Sequence, residues 1–220
     1  MKKIEFPNGM SEYLAELVGI HLGDGSLSLD NQYDYTVSYA GNLQKDEVFM
    51  NYINSLYFKL FNVKFNILLN HNTNSIELRL RSKLLYNFLS KILKIPSGKK
   101  NNLRIPDYIK NNKIYLTSFL RGLFDTDGCV TLQKDGKYNY LLAKISTKHK
   151  IFAYEISSSL KFLKIPSFVT TKSNKLNNKI FEGYDIVIRN KNVKSFFEII
   201  GSKNPRNIQS FNDKGGDAAI

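Results

Sequence analysis

Cysteine is nearly absent. Cys129 is the only one in 220 residues, so an intramolecular disulfide is excluded and a thiolate zinc cluster has nothing to build on. Cys129 itself reads as a small buried hydrophobe. Histidine is scarce as well. His21, His71 and His149 are the only three, and none stands in the spacing of a zinc site or a histidine-dependent nuclease, so structural roles are expected of them. No uninterrupted apolar run approaches the ~20 residues a membrane span requires, and Met1-Lys2-Lys3-Ile4-Glu5 lacks the apolar core of a signal peptide. The expectation is a soluble, intracellular protein of a prokaryotic cytoplasm or an organelle matrix, with no membrane partner. Acidic residues are also few: 19, against 32 lysines and arginines, for a net charge of +13. Such an excess points to a polyanionic partner. An apolar fraction of 42% is enough for a real core.

What is present is a repeat. Leu17-Val18-Gly19-Ile20-His21-Leu22-Gly23-Asp24-Gly25 aligns with Leu120-Arg121-Gly122-Leu123-Phe124-Asp125-Thr126-Asp127-Gly128, and 127 − 24 gives an offset of 103. Phe49 and Phe152, Leu60 and Leu163, Phe65 and Phe168, Gly98 and Gly201, and Lys100 and Lys203 keep that offset. Arg81 and Arg189 lie 108 apart, so the second copy carries a five-residue insertion that is removed again before Gly201; such changes belong in loops.

Each copy carries the same element order. Ser11 is suited to cap a helix ending near Gly23, and Thr117 its counterpart ending near Thr126. Tyr33 to Gly41 and Tyr138 to Ser146 read as strands of first hairpins, with turns at Asp30-Asn31-Gln32 and Lys134-Asp135-Gly136-Lys137. Val48, Phe49, Tyr52, Ile53, Leu56 and Leu60 then recur with helical period, as do Phe152, Ile156, Leu160 and Leu163. Second hairpins turn at Asn70 to Asn74 and at Asn174 to Lys179, followed by helices over Lys83–Leu93 and Lys191–Ile200. The fold predicted is α+β: two pseudo-symmetric αββαββα halves, residues 1–110 and 111–220 with a tail after about 208.

Glycine inside a helix costs about 1 kcal/mol relative to alanine. Gly19-x-x-x-Gly23 and Gly122-x-x-x-Thr126 keep small residues at the spacing that lets two helix backbones touch. If these helices pack on each other, Asp24 and Asp127 meet at their C-terminal ends, where the helix dipole already presents partial negative charge. Two anions there call for a cation. Oxygen ligands without a histidine or cysteine cluster favour magnesium over zinc. Gly25 and Gly128 fit a left-handed helix end.

The two nonapeptides resemble the LAGLIDADG signature of homing endonucleases, of the monomeric two-motif type, and the resemblance runs from about residue 11 to 208. It implies a saddle of antiparallel sheets joined by the two packed motif helices, and a site-specific endonuclease that makes a staggered double-strand break in a long, asymmetric DNA target. The cofactor implied is Mg2+, with Mn2+ able to substitute. By the resemblance Asp24 and Asp127 bind the metal, with Gly23 and Thr126 beside them. Lys100 and Lys203, each 76 residues after its aspartate, take the place of the basic residue that attends the attacking water, with Lys99 a competitor for Lys100. Lys45 and Lys148 fall where polar residues touch the site. The first motif departs from the second in having Leu22 where the other has Asp125.

Strand alternation separates a core face from a DNA face. Ile76, Leu78 and Leu80 oppose Glu77, Arg79 and Arg81; Ile186 and Ile188 oppose Asp185 and Arg189. Tyr33, Tyr35, Tyr140 and Lys144 are the outward candidates on the first hairpins. Arginine can read guanine bidentately in the major groove. The rival readings are a maturase that binds intron RNA and a cleavage-dead DNA-binding protein, neither of which needs paired carboxylates at the waist. An intein is disfavoured by the Met1 start and by an ending, Asp217-Ala218-Ala219-Ile220, without the His-Asn of splicing.

Overall fold

The structure is a computed structural model and is described for residues 3–30, 34–176 and 179–215. Its centre is a pair of helices. α1 (Glu12–Gly23) begins where the Ser11 hydroxyl accepts the Leu14 N–H at 3.2 Å, as the sequence predicts. The partner helix, here numbered α5 (Lys113–Asp127), starts earlier than predicted. The Asn112 side-chain oxygen accepts from the N–H groups of both Ile114 and Tyr115, which satisfies the free donors of a first turn. Thr117 therefore lies inside the helix and is not its cap.

Close approach of α1 and α5 is what their glycines permit. A Cβ on Gly19 would land on the Phe119 carbonyl oxygen and 3.0 Å from the Leu123 nitrogen; one on Gly122 would meet the Glu16 carbonyl and lie 2.9 Å from the Ile20 nitrogen. The two contacts are reciprocal, as a pseudo-twofold axis between the helices demands. Gly25 and Gly128 are not left-handed, and each lies close over the residue four before it in its own motif. Gly128 is extended (φ −97°, ψ 157°), and Cβ atoms at these positions would meet the His21 ring at 2.5 Å and the side chain and carbonyl oxygen of Phe124. Among the described residues the glycines with positive φ are Gly98, Gly136, Gly201 and Gly215. The sequence reading missed a polar link across the helix pair: Glu16, 1% exposed, accepts from Tyr52 Oη at 2.6 Å and Arg121 Nη2 at 2.8 Å.

From each motif the chain passes directly into a sheet. β1 (Gly25–Asp30), β2 (Asp34–Asn42), β3 (Asn66–Asn70) and β4 (Ser75–Arg81) form an antiparallel sheet of order β1-β2-β4-β3; β5 (Gly128–Asp135), β6 (Tyr138–Thr147), β7 (Phe168–Leu176) and β8 (Lys179–Arg189) repeat it as β5-β6-β8-β7. α2 (Leu43–Phe61) and α6 (Lys150–Phe162) pack on one face of each sheet. Phe49, Ile53 and Leu56 are buried there, but Val48 is exposed. The helix predicted over 83–93 is α from Lys83 to Asn87 (α3) and π from Phe88 to Ile92. A short α4 (Asp107–Lys110) joins the halves, and α7 (Lys191–Ile199) is followed by α8 (Pro205–Asp213). The predicted αββαββα order is present twice.

Strand pairing refines the repeat. Gly25 faces Tyr39 and Gly128 faces Ile145; 145 − 39 is 106, so the first hairpin of the second half is longer by 106 − 103, or three residues. Phe49 and Phe152, both buried, return to the offset of 103. Lys45 consequently lies in the first turn of α2, whereas Lys148 precedes α6. They are not equivalent positions.

Candidate metal and nucleic-acid site

Asp127 is the last residue of α5 and Asp24 caps α1, its N–H still bonded to the Ile20 carbonyl at 3.1 Å. Because the helices touch, their ends converge: a Cβ on Gly23, the neighbour of Asp24, would lie 3.4 Å from Asp127 Oδ2. Burial raises the Asp127 pKa to about 7, with the nearby Asp24 charge raising it further against the pull of Lys100. Asp24 is raised too, by burial first, then opposed by Lys100 and reinforced by Asp46. Two carboxyls that resist ionising beside each other are the donor set a divalent cation satisfies. Among the described residues no group of three or more His, Cys, Asp or Glu side chains forms a metal site. A cation on these two aspartates would therefore complete its shell with water and a ligand's oxygens, as magnesium does on a phosphate.

The flanking positions are hydrogen-bonded within the protein. The Gly23 carbonyl accepts from Lys100 Nζ at 2.6 Å, and the Thr126 hydroxyl bonds back to the Leu123 carbonyl at 2.9 Å. Lys100 also donates to the carbonyls of His21 (2.9 Å) and Leu22 (3.0 Å). One ammonium thus closes the last turn of α1 and complements its dipole. Burial lowers its pKa, while Asp127 and Asp24 oppose that shift and Lys148 adds to it. Of the two lysines the sequence left open, Lys100 stands against the aspartates and Lys99 is exposed. Beneath them His21 is fully buried, its Nδ1 2.8 Å from Tyr39 Oη, and burial depresses its pKa to about 3. A buried ring held neutral at ordinary pH fits a structural role.

The second half does not repeat this device. Lys203 is exposed, and only its backbone N–H turns inward, to the Asp125 carboxylate at 3.0 Å. Asp125 also accepts from the Ser202 hydroxyl and the Asn204 N–H. The end of α5 is capped by carboxamides: Asn204 Nδ2 donates to the Asp125 carbonyl at 2.8 Å and Asn207 Nδ2 to the Phe124 carbonyl at 3.1 Å. Sequence spacing pointed to Lys203 because a conserved offset says nothing about which way a side chain turns. The available signal was Asp125 itself, a carboxylate where the first half has Leu22, able to draw in the loop at 202–204.

On the sheets, Arg79 and Arg81 project away from buried Ile76 and Leu78, as alternation requires. Arg79 pairs with Glu77 at 2.9 Å and Arg81 with Asp34 at 3.0 Å. Arg189 lies over the rings of Tyr140 and Phe168, at 5.0 and 5.5 Å from their centroids. Lys144 and Tyr140 share a face with it, because Leu142 pairs with Arg189 and Lys144 with Val187. Tyr35 does not face outward. It shares the parity of buried Val37 and Tyr39, packs edge-on against Tyr86 at 5.1 Å and lies partly buried against the core. Tyr33 lies outside the described residues. Cys129, expected to be buried, is exposed on the strand after Asp127 and pairs with Lys144 in register.

Residues 115–201 match a family described as LAGLIDADG-like domain. The chain is similar to two curated proteins named DNA polymerase. That of Thermococcus hydrothermalis is 29% identical over 88% of this chain and 11% of its own length; that of Thermococcus litoralis is 27% identical over 84% and 10%. The chain spans about a tenth of these relatives. Among solved structures it is similar to I-DmoI in complex with DNA and Mn (21% identity, 86% of this chain and 96% of that one, TM-score 0.60). I-DmoI with DNA and Ca (20%, 92% and 97%, 0.59) and the meganuclease I-SmaMI bound to uncleavable DNA (12%, 94% and 88%, 0.58) are similar as well.

Proposed function

We propose, for a chain that carries the LAGLIDADG homing-endonuclease fold in both halves and that family's domain in its second, the function of a site-specific endonuclease that cuts both strands of duplex DNA with a divalent metal, Mg2+ or Mn2+. The observation that carries this reading is the convergence of Asp24 and Asp127 at the ends of helices in backbone contact, with Lys100 beside them. A DNA-binding scaffold without chemistry has no use for two carboxyls held where neither ionises readily. Similarity to a tenth of a polymerase's length is similarity to a segment, and polymerisation is not carried over to this chain.

When bound, a divalent cation supplies a Lewis acid for the scissile phosphate and makes a water easier to deprotonate. Asp24 and Asp127 would hold it. Lys100 neutralises charge at the α1 end and sets a cation beside the position of a phosphate. Arg79, Arg81, Arg189 and Lys144 would meet the duplex on the outward sheet faces, which begin at the strands leaving each aspartate. The DNA bound by I-DmoI in its solved complexes supports the same partner here.

The test is incubation with duplex DNA spanning the uninterrupted insertion site of the protein's own gene, with Mg2+, followed by sequencing of the ends. A staggered break is expected. Asp24→Asn or Asp127→Asn should reduce double-strand cutting by about 10²–10³-fold or more with DNA affinity kept. Full cutting by either variant would remove the assignment.

A further inference from the structure

On the second-half flank of the aspartates, the two side chains that cap α5, Asn204 and Asn207, are buried, neutral and spent on helix carbonyls. The cation there is Arg206, one of the two residues between them. The Arg206 N–H donates to Asn204 Oδ1 at 3.1 Å, which fixes the start of the side chain in the first turn of α8. Its Nη1 lies 3.2 Å from Oδ1 of Asp46, a residue of α2 in the other half. The second Asp46 oxygen takes the Asn42 N–H at 2.8 Å, so the guanidinium is parked at the junction of β2 and α2. α8 itself packs on β5, the strand that leaves Asp127, and on α2.

In the first half Lys100 stands at the end of α1, its ammonium on the carbonyls of His21, Leu22 and Gly23. One cation thus stands near each helix end: Lys100 directly on the carbonyls of α1, and Arg206 in the turn that follows the first carboxamide on α5. The Arg206 side chain is 42% exposed and has no other ion-pair partner among the described residues. A half-exposed pair is a weak tether, and a guanidinium fork suits phosphate oxygens as well as carboxylate.

Resting on the endonuclease reading, we propose that Arg206 is the counterpart of Lys100: the cation with which the second half faces its scissile phosphate, delivered by α8 in place of Lys203. The two strands are then cut by unlike machinery, an ammonium on one and a guanidinium on the other. Asp46 holds Arg206 ready while no phosphate is present.

Strand-resolved kinetics on end-labelled target duplex test this. Arg206→Ala should slow cutting of one strand at least tenfold while the other changes less than threefold, and Lys100→Ala should slow the opposite strand. Lys203→Ala should do neither. Asp46→Asn, which weakens the hold on the guanidinium while keeping an oxygen for the Asn42 N–H, should not reproduce the one-strand defect; if it does, Arg206 is a structural clasp and the proposal falls. Equal slowing of both strands by Arg206→Ala, or no slowing, also overturns it. Should the wild type cut no DNA, the endonuclease reading fails by itself, and a non-specific 30-base-pair duplex decides the remainder. Arg206→Ala should then lower the slope of log affinity against log salt by about one; an unchanged slope contradicts a phosphate-facing role.

Discussion

At the scale of the residue, the aspartates were legible because both their type and their spacing repeat, and because a carboxylate at a helix C-terminus is anomalous without a cation. Lys203 was not legible, since side-chain direction depends on Asp125 pulling the backbone of 202–204 inward. Tyr35 was misread for a related reason: an amphipathic ring suits either face of a strand, and only pairing decides. Asp127 yields a pH prediction. Its folded pKa, about 7, lies above the ordinary carboxylate value, so the folded state holds its proton more tightly than the unfolded chain. Stability from this group is complete below about pH 4 and is lost as pH rises to 7. In metal-free protein the melting temperature of Asp127→Asn should exceed that of wild type by a margin that grows from pH 4 to 7, and added Mg2+ should close the gap. A margin independent of pH would contradict it. His21, with its pKa depressed to about 3, acts oppositely in both proteins and cancels in the comparison.

At the scale of the element, the helix pair is held by backbone contact at Gly19 and Gly122, and the small-residue spacing announced it. Gly19→Ala gains about 1 kcal/mol of helix propensity in isolation yet must push the Phe119 carbonyl away. The net expectation is a loss of about 1–3 kcal/mol of unfolding free energy by urea titration. A stabilised variant would mean that the helices are not in contact there. Gly25 and Gly128 were read as left-handed helix ends because that is glycine's commonest use at such a place; the rings of His21 and Phe124, four residues earlier in the preceding helix, leave no room for a Cβ there. The cap of α5 was missed likewise. Asn112 lies outside the aligned motif, and Ser11 has no polar equivalent at the offset of 103, where Ile114 stands.

At the scale of the whole molecule, element order followed from the repeat, and the strand orders β1-β2-β4-β3 and β5-β6-β8-β7 are what the structure adds. The asymmetry between halves did not follow. A carboxylate in one motif, a longer hairpin and α8 crossing to α2 are small edits that redistribute charge around a shared centre. With a net charge of +13, much of the DNA affinity should come from phosphate neutralisation. Binding to duplex DNA should weaken about 10³-fold or more between 50 and 200 mM salt; an affinity indifferent to salt would count against the assigned surface.

The central claim is that two helix ends present Asp24 and Asp127 to one divalent cation. Carboxyl 13C NMR of aspartate-labelled protein during Mn2+ titration reads this without knowledge of the DNA target. Both signals should broaden together at the lowest metal concentrations, and Asp24→Asn should abolish the broadening at Asp127. Broadening of one aspartate alone, or of other carboxyls first, would show that the pair does not form a shared centre.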